Sequence, residues 1–180
     1  MIQTKFFCLK ILIIFLLFGS CFHVIAAEAY NTHKDLKIIA QAVGFVKGRN
    51  YSDVSMLIVF SPDSAHSVSN ADQVLEIIGD GFSFGKVRIN ARKATVREAL
   101  QSSPDVYFFQ SDLSNIARIY DHAARNGILT LSTHDACMQK NQCVLLIKTN
   151  PRVDIFLNRE AADQSGIKFD AAFRLMVKEK

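Results

Sequence analysis

The chain has 180 residues, with 21 Lys and Arg against 17 Asp and Glu, a formal net charge of +4 and 49% hydrophobic residues. That length sets one domain as the prior. The small positive charge, with no basic stripe interleaved with aromatics, excludes a nucleic-acid binder held by phosphate contacts.

The first stretch reads as an export signal. Lys5 and Lys10 form a positive n-region, Ile11 to Gly19 an apolar h-region, and Val24-Ile25-Ala26-Ala27 supplies small residues for cleavage. This is the layout of a secretory signal peptide, and the apolar run is shorter than the roughly 20 residues of a comfortable membrane span. Residues 1–27 are therefore expected to be removed, leaving a mature α/β domain of residues 28–180 with a net charge of +2, because both lysines leave with the signal. The alternatives are an uncleaved anchor or a lipoprotein acylated at Cys21, and Phe18 stands where a lipoprotein signal usually carries leucine. Cys8 and Cys21 fall within the signal, so Cys137 and Cys143 remain as an even pair in an oxidising compartment, the periplasm or the exterior. A mature chain of this size buries about two thirds of its unfolded surface, enough for one core.

Asn31-Thr32 is a plausible helix cap, and Leu36, Ile39, Ala40, Val43 and Val46 follow at helical spacing up to a stop at Gly48. Ser55 to Phe60 is a continuous apolar run, as in a strand buried on both faces, and Ser61-Pro62-Asp63-Ser64 breaks it. A helix is expected from about Asn70 to Gly79 or Gly81, and a second strand from Lys86 to Asn90. Thr95 caps a short helix through Leu100, Asp105 to Gln110 is a third strand, and a helix opening at Ser111 or Asp112 closes at Asn126-Gly127. Ile128 to Ser132 is the fourth strand. Each connection is long enough for a crossover, so these strands should be parallel.

The last third differs. Cys143 to Lys148 and Arg152 to Leu157 are separated only by Thr149-Asn150-Pro151, too short for a crossover, so they should form a hairpin. A helix from Asn158 or Arg159 to Ser165 ends at Gly166. Phe169, Phe173 and Met176 then recur at four- and three-residue spacing, and the tail is expected to dock on the core through Phe173 and Met176. The fold class is α/β: a single-domain, mostly parallel sheet with helices on both faces and a C-terminal antiparallel hairpin.

Few residues carry obvious chemistry, and no cofactor motif is present. Cys137 and Cys143 suit a disulfide pinning the connection between the fourth and fifth strands; the rival is a metal site with His134, which offers only three ligands at an unusual spacing. Gly81-Phe82-Ser83-Phe84-Gly85 matches the G-x-S-x-G nucleophile pattern, but that elbow follows a strand and opens a helix. Here the order is reversed, and the segment reads as a helix stop and a loop. His33, His66, His122 and His134 are dispersed, with His66 and His134 placed in loops. The strand-end rule for open α/β sheets puts a ligand cleft beyond the carboxyl ends of the strands. The candidates are Ser61 and Asp63 after the first strand, Gln110 and Ser111 after the third, and Ser132 and Thr133 after the fourth. Such residues also serve simply as caps and turns.

The run Leu129-Thr130-Leu131-Ser132, the cysteine pair, and then Pro151-Arg152-Val153-x-Ile155-x-Leu157-Asn158-x2-Ala161-Ala162-x3-Gly166-x2-Phe169-x3-Phe173-Arg174 resembles the YfiR/HmsC-like periplasmic family. It is also similar to the second lobe of some transporter-type solute-binding proteins. The resemblance implies a small exported α/β protein without enzymatic activity. Such a protein binds the periplasmic sensor domain of an inner-membrane diguanylate cyclase and holds it inactive, until stress releases it and cyclic-di-GMP and biofilm formation rise. It also implies a disulfide at Cys137 and Cys143; a second pair found in some members is absent from the mature chain. The competing expectation is a periplasmic small-ligand binding module. A second copy of the chain, as a homodimer, is one further partner left open.

Overall fold

A computed structural model describes residues 32–49, 51–110, 113 and 115–180. The expected signal peptide, Cys21, Asn31 and the candidate Ser111 lie outside the described residues. Fifteen elements follow one another from Thr32 to Glu179 among these residues. They are α1 (Thr32–Gly44), β1 (Asp53–Phe60), α2 (Ala65–Ile78), β2 (Phe82–Phe84), β3 (Val87–Thr95), α3 (Val96–Ala99), β4 (Val106–Phe109), α4 (Ile116–Asn126), β5 (Leu129–Ser132), α5 (Asp135–Gln139), β6 (Leu145–Lys148), β7 (Asp154–Leu157), α6 (Arg159–Gln164), α7 (Ala171–Arg174) and β8 (Lys178–Glu179).

The eight strands form one sheet in the order β2-β3-β1-β4-β5-β6-β7-β8. From β3 through β1, β4 and β5 to β6 every pair is parallel. The apolar runs are the cause. All four residues of β4 and all four of β5 are buried, which only strands covered on both faces tolerate. Alternate residues feed two cores. Met56, Ile58, Phe108 and Leu131 pack with the stripe of α1 (Leu36, Ile39, Val43) and with Val74 and Ile78 of α2. Leu57, Val59, Tyr107 and Phe109 pack on the opposite face with Ile116 and Ile119 of α4 and with Ala99 of α3. Helices thus cover both faces.

Several elements depart from the sequence expectation: the first helix ends at Gly44 and not at Gly48, and the hairpin strands start at Leu145 and Asp154 and not at Cys143 and Arg152. The second helix starts at Ala65, not Asn70, because Ser64 caps it by accepting from the Ser67 N–H at 3.2 Å. Its first inward positions are the polar Ser67 and Asn70, so hydrophobic periodicity misses the first turn. His66 consequently lies in a helix, where its Nε2 pairs with the Asn70 amide at 3.1 Å. The glycine-flanked Phe-Ser-Phe is a strand, not a loop: β2 pairs antiparallel with β3, from Phe82↔Ile89 to Phe84↔Val87. A two-residue turn led by Gly85 at φ 61° joins them, the left-handed backbone that glycine supplies without strain. Lastly, β3 continues to Thr95, held along its length by β1 although Arg92 and Lys93 interrupt its apolar pattern.

At the C-terminal end β6 and β7 pair antiparallel, with the cis Asn150–Pro151 peptide in their connection. The final strand, β8, adds parallel to β7, and the Lys180 N–H donates to the Leu157 carbonyl at 2.9 Å. The tail divides the two residues expected in the core. Phe173 is buried, stacked on Phe45 at 5.3 Å and on Phe169 at 4.8 Å. Met176 is 62% exposed, because α7 ends at Arg174 and the chain turns out to form β8.

Candidate functional site

The two cysteines are joined, with sulfurs 2.04 Å and Cα atoms 5.5 Å apart. Cys137 lies on α5 and Cys143 just ahead of β6, so the connection expected to be a turn contains a helical turn. His134 is its cap rather than a loop residue, its Nδ1 accepting from the Ala136 N–H at 3.4 Å. With both sulfurs bonded to each other, the alternative site with His134 has no thiolate to offer a metal. No group of three metal-ligating side chains occurs among the described residues. Ser83 is exposed on the edge strand β2, opposite Arg88 in register.

The strand-end residues separate into two environments. Ser61 and Asp63 border an open groove of about 740 Å³ at the carboxyl ends of β1 and β3. Ser61 is positioned by its N–H, which donates to Ser67 Oγ at 3.0 Å. At the ends of β4 and β5 the side chains are enclosed. Ser132 is 1% exposed, donates to the Phe109 carbonyl at 3.0 Å and accepts from the His134 N–H at 2.9 Å. Gln110 and Thr133 directly follow β4 and β5, and Gln110 Oε1 and Thr133 Oγ1 are buried without a hydrogen-bond partner among the described residues. The groove also takes Arg97, Asn115 and Arg118, which sequence reasoning did not select. They stand at or just inside the starts of α3 and α4, and that helix-start position near strand ends is the signal that could have found them.

A second groove, of about 320 Å³, lies among α1, β7 and the tail and is chiefly apolar. Ile38, Phe45, Ile155 and Phe173 form its walls, and Val153 and Met176 stand at 42% and 62% exposure beside it. Leu175, next to Met176 in the chain, is 88% exposed. Of the four large hydrophobic residues exposed among the described residues, three therefore gather at one end of the molecule. Single exposed hydrophobics are ordinary; a cluster of them marks a contact surface. Charged pairs border it: Lys178 Nζ donates to Asp154 at 2.8 Å, and Arg152 Nε to the same carboxylate at 3.1 Å. These pairs hold the Asp154 carboxyl below its ordinary pKa, the Lys178 hydrogen bond foremost.

Two polar contacts tie elements together beneath these surfaces. Asp35, 3% exposed in the first turn of α1, accepts the Thr149 hydroxyl at the end of β6, and Lys34 Nζ donates to the Thr149 carbonyl at 2.7 Å. Burial raises the Asp35 pKa, opposed by the Thr149 hydrogen bond and the Lys34 charge. On the other face the Tyr107 hydroxyl sits 2.7 Å from the Ala99 carbonyl and 3.1 Å from His122 Nδ1. Burial pushes the Tyr107 pKa up to about 12 and lowers that of His122, so both are neutral at physiological pH.

Such an arrangement defines an α/β protein with one mostly parallel sheet covered by helices and two grooves, one chiefly apolar and one lined by charged and polar side chains. The YfiR/HmsC-like family model matches residues 39–175, and the chain belongs to this family. Its fold is similar to that of a conserved domain protein from Vibrio cholerae O1 biovar eltor strain N16961, whose crystal structure superposes with a TM-score of 0.59 at 14% identity. That match covers 83% of this chain and 60% of the other, and at such identity it shows the fold alone. No curated protein matches the chain in sequence.

Proposed function

We propose that this protein is a periplasmic, non-enzymatic regulator of cyclic-di-GMP signalling, exported by a leader of residues 1–27, whose mature domain, residues 28–180, binds the sensor domain of an inner-membrane diguanylate cyclase and restrains it. Membership of the YfiR/HmsC-like family supports the class. No helix among the described residues is long and apolar enough to cross a membrane, so these residues would meet the cyclase from outside the bilayer.

The observation that carries the partner assignment is the apolar end formed by Val153, Leu175 and Met176 around the α1–β7 groove. Leaving three large side chains in water gains nothing for the free domain, whereas burying them against a partner contributes roughly 25 cal/mol per Å² of apolar surface removed from water. Restraint then follows from differential affinity: the regulator holds the cyclase inactive to the extent that this surface fits the inactive sensor better than the active one.

The test is a pull-down of the oxidised mature chain from inner-membrane extracts, beside a Leu175→Asp/Met176→Asp variant. Recovery of a membrane diguanylate cyclase by the native protein, and its loss with the variant at an unchanged melting temperature, is the expected result. A native protein that captures no cyclase overturns the reading.

A further inference from the structure

The groove at the carboxyl ends of β1 and β3 lies apart from the apolar end and has no role in the partner interaction proposed above. It holds about 740 Å³, enough for a small metabolite, and it sits where open α/β sheets bind ligands. Its charged residues are Asp63, Arg97, Glu98 and Arg118. Glu98 is already engaged: its carboxylate accepts from the Thr95 N–H at 2.7 Å and the Thr95 hydroxyl at 2.9 Å in a capping box, and those bonds hold its pKa down. Neither arginine pairs with Glu98 or with Asp63, although all four side chains border the same space.

Two arginines therefore border one cavity, and neither guanidinium forms an ion pair with a carboxylate among the described residues. Guanidinium matches planar and tetrahedral oxyanions with paired, charge-assisted N–H bonds, the strongest polar contacts available at a protein surface. Asn115 adds to this. It precedes α4 at φ 69°, lines the same groove and makes no side-chain capping hydrogen bond.

We infer that this groove is a binding site for a small molecule carrying an oxyanionic group, a carboxylate or a phosphate, clamped between Arg97 and Arg118. The regulator would then have an input distinct from its partner surface: a periplasmic anion bound at the strand ends, on the polar side of the sheet, while the apolar end stays available.

Titration calorimetry of the full mature, oxidised protein with inorganic phosphate and, separately, with succinate tests the inference at low and matched ionic strength. Saturable binding of at least one probe is expected, weakened about tenfold or more in Arg97→Ala/Arg118→Ala and unchanged in Arg125→Ala, a cation at the far end of α4. Which probe binds separates phosphate from carboxylate recognition. Absence of saturable binding of both probes overturns the inference, as does equal binding by the native and double-variant proteins, with melting temperatures confirming that every variant is folded. None of these outcomes depends on a cyclase being captured.

Discussion

The middle of the sheet and its C-terminal edge are built on opposite terms. In β4 and β5 every residue is buried, each strand has parallel neighbours on both sides, and helices close both faces. At the edge, β7 is only partly buried, β8 is two exposed residues long, and three large hydrophobics stand in water. The middle spends its apolar residues on folding. The edge holds some back, and it is anchored by a few specific contacts: the Phe45–Phe173–Phe169 stack, the Lys180 bond to Leu157, and Lys180 Nζ reaching the Met138 carbonyl beside the disulfide at 2.9 Å. The difference teaches that the fully enclosed apolar residues and the exposed ones collect in separate parts of one sheet.

The comparison can be broken most forcefully at large core side chains. Phe108→Ala, in the middle, should cost about 3–5 kcal/mol in urea unfolding, and Phe173→Ala, the buried anchor of the edge, should cost a similar amount. Its chain neighbour three positions on behaves differently: Met176→Asp should change stability by no more than about 0.5 kcal/mol while weakening partner capture. Equal losses at Phe173 and Met176 would show that the tail is uniformly core and remove the division drawn here.

An intermediate effect is expected at the disulfide. Cys137→Ser/Cys143→Ser closes no loop in the unfolded chain, and for a separation of six residues the chain-entropy relation gives about 2 kcal/mol. Denaturant unfolding with and without reductant measures it; a reduced protein as stable as the oxidised one would place α5 outside the cooperative unit.

The smallest effect concerns pH. Asp35 joins α1 to the end of β6, and burial raises its pKa above the ordinary 3.8. In the pH window between that ordinary value and the raised one, the folded state binds more protons than the unfolded chain. The Asp35 contribution to stability is therefore full below the window and falls as pH rises through it. Asp35→Asn should flatten that part of the stability–pH curve while keeping an acceptor for the Thr149 hydroxyl. A variant curve parallel to the native one across that interval would contradict the assignment.

Much of this organisation was written locally. The short, largely apolar runs at Ser55–Phe60, Asp105–Gln110 and Ile128–Ser132 read as strands, since such runs suit strands buried on both faces, and β1, β4 and β5 lie there. Thr149-Asn150-Pro151 was too short for a parallel crossover, and Thr95 read as the cap of a short helix. The candidate site was legible in part. Ser61 and Asp63 were found because residues following a parallel strand border the ligand-binding end of such sheets. Arg97 and Arg118 were not, because two arginines on separate helices carry no mutual spacing until the helices are packed side by side.

By itself, then, the sequence determined the strand and helix alternation, the hairpin, the cysteine pair and the family, since each depends on residues near one another in the chain. Tertiary structure decided the rest. It set Ser67 inward on a helical turn that periodicity missed, paired Phe82–Phe84 with β3, and turned Phe173 in and Met176 out of a tail whose spacing treated them alike. It also enclosed Gln110 and Ser132 while leaving Ser61 and Asp63 open. The physical reason is common to all four: burial is a property of what lies opposite a side chain, and only the packed helices and neighbouring strands supply that.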